Sequence, residues 1–87
     1  MTSIERERPA SIRLAAERLA AFVVSTAESV DSAAGAAEAA MARAVSTGAS
    51  VERVSAELEL SPRALRAIVE GSVRLRSLHP DDRLRAV

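Results

Sequence analysis

The stretch SVERVSAELELSPRALRAIVEG, Ser50 to Gly71, holds the start and stop signals of two short helices. Ser50 and Ser61 each precede an apolar-periodic run, where a hydroxyl can accept from the free N–H groups of a first turn. Glu52 lies in the first of these turns, at the end of the helix dipole that favours acids. Pro62 takes the first position of the second helix, where its missing N–H does no harm. Gly71 follows the last periodic residue and is a natural stop. The spacing predicts helices over 51–58 and 62–70, with Glu59, Leu60 and Ser61 forming the bend. Val54, Leu58, Leu60, Leu65 and Ile68 then form one small core that fixes the angle between the two helices.

Upstream, Ile12, Ala15, Ala16, Leu19, Phe22, Val23 and Val30 recur at spacings of three and four. They predict an amphipathic helix over 10–29, with Pro9 in its first turn after a charged leader at 1–9. Ser29, Asp31 and Ser32 offer cap chemistry. The Ala-rich run beyond them predicts a second helix to about Thr47, stopped by Gly48. The Val30-Asp31-Ser32 step favours two helices over one bent helix across 10–47. Small residues at 33, 34, 36, 37, 39 and 40 let another helix approach closely, from the same chain or from a second copy. Downstream, Val73-Arg74-Leu75-Arg76 alternates apolar and basic residues and suggests a short strand or an arm near 73–78. Pro80 with Asp81 and Asp82 suggests a last short helix. The expectation is an all-α, single-domain bundle of four to five helices.

Bulk composition narrows the function classes. The chain has 87 residues and no cysteine, which excludes a disulfide framework and cysteine-ligated metals. No Lys is present, so a phosphate-binding loop ending in Gly-Lys is excluded. The single His79 could join Asp81 and Asp82 around a metal, but a lone His beside a helix start is more often a cap or surface residue. No second His or Cys completes a nucleophilic dyad. Phe22 is the only aromatic residue, which argues against a stacking platform for single strands. No enzyme, cofactor or metal is expected. The charged N-terminus does not read as a signal peptide, and the longest apolar run is short for a membrane span. A soluble cytoplasmic protein with no membrane partner is the resulting expectation.

Formal net charge is zero, from twelve Arg and twelve acids. Residues 11–60 carry four Arg against seven acids, and residues 61–87 carry six Arg against three. Exclusive use of Arg fits GC-rich coding. Arg also suits bidentate recognition of phosphate and guanine.

Residues 51–70 resemble the helix-turn-helix DNA-binding motif of small bacterial transcriptional regulators. Val54, Ser55 and Leu58 occupy its apolar, small and apolar places in the first helix. Ser61 occupies the capping place in the turn, and Leu65 and Ile68 the inner places of the second helix. Glu59 stands where the motif favours glycine. If that position needs positive φ, the substitution costs about 1–2 kcal/mol. Ser55 replaces the commoner alanine.

The resemblance implies that the second helix meets the major groove of double-stranded DNA through Pro62, Arg63, Ala64, Arg66 and Ala67. Arg63 is the best candidate for a base edge, with guanine O6 and N7 as acceptors, and Arg66 is next. Ser61 is a candidate phosphate contact. Arg74 and Arg76 are either flanking phosphate contacts or the wet face of a short strand. Arg66 and Glu70, four residues apart, can equally form a surface pair. The implied protein is a transcriptional regulator, homodimeric through residues 10–47. The competing class is a helical protein-interaction or self-assembly module, which zero net charge and the Ala-rich helix favour. The surface separates the two. DNA binding predicts Arg63, Arg66, Arg74 and Arg76 on one exposed face without acids between them. An interaction module predicts an exposed apolar or small-residue stripe on 10–47 and scattered arginines.

Overall fold

The computed structural model describes residues 3–81. It contains α1 (Ser3–Val23), α2 (Val30–Ser46), α3 (Val51–Leu58), α4 (Pro62–Glu70) and a 3₁₀ turn at Leu75–Leu78. No strand forms among the described residues. The all-α expectation holds, and the segment expected as a short strand or an arm near 73–78 forms a 3₁₀ turn at Leu75–Leu78.

α1 and α2 pack as a helical hairpin along seams of heptad spacing. Ile12, Ala15 and Phe22 are buried on α1, and Val30, Ala34, Ala37, Met41 and Ala44 on α2. The alanines of α2 let its neighbours approach closely, and α2 touches α1, α3, α4 and the 3₁₀ turn. The small-residue run therefore finds its helical partner within the chain. Ala34, Ala37 and Ala40 are buried and Ala33 is half-buried, leaving Ala36 and Ala39 exposed.

The first helix differs from its expected bounds at both ends. It begins at Ser3, so Pro9 lies inside it rather than in its first turn. The Glu-Arg-Glu-Arg run before Pro9 is composed of good helix formers. The helix stops at Val23, six residues short of 29, because local hydroxyls compete for the backbone. Ser25 Oγ donates to the Phe22 carbonyl at 2.6 Å. Ser29 Oγ accepts from the Thr26 N–H at 3.1 Å and so makes no side-chain cap on α2. Val30 fits the period of both helices, and it opens α2.

The 3₁₀ turn folds back over this hairpin. Glu38 Oε2 accepts from the Leu75 N–H at 2.8 Å, capping the turn from α2. His79 is 2% exposed, with its ring edge-on to Phe22 at 4.8 Å between centroids. Its Nε2 lies 3.0 Å from the Phe22 carbonyl, and its Nδ1 accepts from the Asp81 N–H at 2.9 Å. These partners suit the tautomer that donates from Nε2 to the Phe22 carbonyl. His79 thus helps cap α1 and is not a surface residue, and Asp82 lies outside the described residues. Pro80 and Asp81 form a bend, and the rest of the last helix expected after Pro80 lies outside the described residues.

Candidate nucleic-acid interface

The α3–α4 corner is set by three local devices. Ser50 Oγ accepts from the Arg53 N–H and Ser61 Oγ from the Ala64 N–H, each at 3.1 Å. Pro62 occupies the first turn of α4. Between the helices, Glu59 adopts φ 57° and ψ 37°, and it is the one non-glycine residue with positive φ among the described residues. That left-handed conformation lets the Leu60 N–H reach back to the Ser55 carbonyl at 2.9 Å, closing α3. Gly71, at φ 83°, closes α4 in the same way.

The corner packs on the residues expected. Val54, Ser55, Leu58, Leu65 and Ile68 are buried, and Leu60 is half-buried. Ser55 satisfies its hydroxyl by donating to the Glu52 carbonyl at 2.9 Å, so a polar atom sits at the helix crossing without loss. Leu65 and Ile68 hold the inner face of α4 against this core, leaving its outer face to solvent.

The outer face of α4 forms a shallow hollow of about 640 Å³ that brings together Ser61, Pro62, Arg63, Arg66 and Ala67, and the acid Glu70 and Ser72 line it as well. Arg63 and Arg66 are exposed, whereas Ala64 is half-buried. Arg66 lies 3.9 Å from Glu52 of α3, not against Glu70, and both side chains are more than half exposed. A pair this long and this wet contributes at most a few tenths of a kcal/mol.

Arg74 and Arg76 lie elsewhere. They line a second hollow with Asp31, Ala34, Gly35, Glu38 and Ser77. Arg76 is ion-paired with Asp31, and its side chain is 28% exposed. The four arginines therefore do not form one acid-free face. Arg63 and Arg66 come together on α4, while Arg74 and Arg76 sit beside the acids of α2. The signal was present in the sequence as Asp31 and Glu38, seven residues apart and so on one side of α2. Nothing in it showed that the 3₁₀ segment would fold onto that side.

No helix among the described residues is long and apolar enough to cross a membrane. No family model matches the chain, and neither a curated protein nor a solved structure matches it.

Proposed function

We propose that this chain binds double-stranded DNA through a helix-turn-helix formed by α3 and α4, as a small transcriptional regulator would. The supporting observation is the outer face of α4, where Arg63 and Arg66 project beside the capped N-terminus of a helix whose opposite face is held by Leu65 and Ile68. An exposed guanidinium can donate two hydrogen bonds to a guanine edge or to one phosphate. Arg63 is the base-reading candidate. Arg66, the Ser61 hydroxyl and the Arg63 N–H are the phosphate contacts. Arg74 remains a candidate backbone contact, and the ion pair with Asp31 makes Arg76 a structural residue in this proposal.

The electrostatic contribution is small. On a random-sequence duplex Arg63 has no cognate base and meets phosphate instead, so with Arg63, Arg66 and Arg74 each neutralising one phosphate the logarithm of affinity falls with a slope of about −2.7 against the logarithm of salt. Between 50 and 200 mM salt that is a loss of about 40-fold. The test is fluorescence anisotropy of the full chain with random-sequence duplex DNA across that range. Weak binding with such a slope supports the proposal, and absence of binding at the lowest salt refutes it. A second reading, a protein-interaction module, is favoured by the separation of Arg63 and Arg66 from Arg74 and Arg76 and by the exposed Val23 and Val24 at the end of α1.

A further inference from the structure

Three large hydrophobic side chains are exposed among the described residues. Val23 is 45% exposed, Val24 79% and Leu78 46%. Val23 and Val24 are neighbours at the end of α1 and Leu78 lies in the 3₁₀ turn, and all three border one groove of about 510 Å³. The buried Phe22, Leu58 and Leu75 also line it. Scattered exposed apolar residues need no explanation, but a set that converges on one concavity marks a place where another surface sits. The groove also carries a sign. Glu57 and Glu59 line it, both are exposed, and no arginine lines it among the described residues.

We propose that this groove docks a short amphipathic helix of a partner protein, with an apolar stripe bordered by Arg or Lys. The apolar stripe covers Val23, Val24 and Leu78, and the basic border meets Glu57 and Glu59. The same acids disfavour two other occupants. Symmetric pairing of two copies through the groove would bring four carboxylates into one interface with no arginine among the described lining residues to pair them. An anionic lipid surface would meet the same repulsion. The groove reaches the α3–α4 turn at Glu59 and Leu60, so the docked helix lies beside the start of α4. The proposal stands whether or not α4 reads DNA.

The test uses the full chain and two labelled helical peptides. Both carry leucines at i, i+4 and i+7. One has arginines at the flanking positions, and its twin has glutamates there. The arginine peptide binds, with affinity falling as salt rises, and the glutamate peptide does not. Val24→Asp, at a position exposed enough to leave folding intact, weakens binding by about tenfold or more. The double change Glu57→Gln and Glu59→Gln removes the salt dependence and leaves residual apolar binding. Equal binding of both peptides, or of neither, overturns the proposal. So does a wild-type dimer in sedimentation that Val24→Asp dissociates, because the occupant is then a second copy. Co-sedimentation with phosphatidylserine vesicles that Val24→Asp abolishes overturns it in favour of a lipid surface.

Discussion

Glu59→Gly should stabilise the protein. Glu59 sits at φ 57° and ψ 37°, where a Cβ crowds the following carbonyl at a cost of about 1–2 kcal/mol. Glycine removes that penalty but has more freedom to lose on folding, about 0.5–1 kcal/mol. The difference leaves a net gain of about 0.5–1 kcal/mol. The Glu59 side chain is exposed and makes no ion pair among the described residues, so nothing from the carboxylate offsets it. In a domain of this size, each kcal/mol moves Tm by about 4–8 °C, so the expected rise is about 2–8 °C. Thermal and urea melts followed by circular dichroism should rank Glu59→Gly above wild type. Glu59→Ala keeps the Cβ and should gain nothing, and Glu59→Gln controls for charge. If Glu59→Gly were no more stable than Glu59→Ala, backbone strain at this turn would not be the reason for the gain.

Other perturbations have equally definite outcomes. Ser61→Ala removes the hydroxyl that accepts from the Ala64 N–H and should lower stability by about 1 kcal/mol, read from the urea midpoint at unchanged m. His79→Ala vacates a buried ring site and leaves the Asp81 N–H without its partner. Unfolding free energy should fall by about 3 kcal/mol, and a loss below 1 kcal/mol would show that the 3₁₀ segment is not held by this residue. Arg63→Ala should weaken binding to a selected DNA site by about 1–3 kcal/mol while leaving the melting curve unchanged. Arg76→Ala should leave DNA affinity unchanged, because Asp31 already engages that guanidinium; a drop matching that of Arg74→Ala would return Arg76 to the interface.

The α3–α4 corner was legible almost residue by residue, because caps, proline and glycine act locally. Ser50, Ser61, Pro62 and Gly71 all do what their position in sequence implies. Glu59 was legible as an anomaly, and its left-handed backbone is the reason glycine suits the position. The end of α1 was harder to read. Val30 lies eight residues after Phe22 and four before Ala34, so periodicity alone continues the first helix into the second. Hydroxyl competition at Ser25 and Ser29 decides the break, and several serines elsewhere in the chain make no such break. The 73–78 segment was illegible for a different reason. Its alternation of apolar and basic residues is satisfied by Leu75 turning into the core and Arg76 turning toward Asp31, both set by tertiary contacts. The burial of His79 against Phe22 depends on the same return of the chain, across fifty-seven residues. The exposed groove was likewise invisible, since Val23 and Leu78 meet only through the fold.

The most direct measurement is a backbone amide NMR titration of the full chain with a duplex DNA at low salt. The proposed interface predicts shifts confined to Ser61–Ala67 and Arg74, with Val23, Val24 and Leu78 unmoved. Shifts centred on the groove instead, or none while the DNA is in excess, would contradict the assignment of α4 as the DNA-contacting helix.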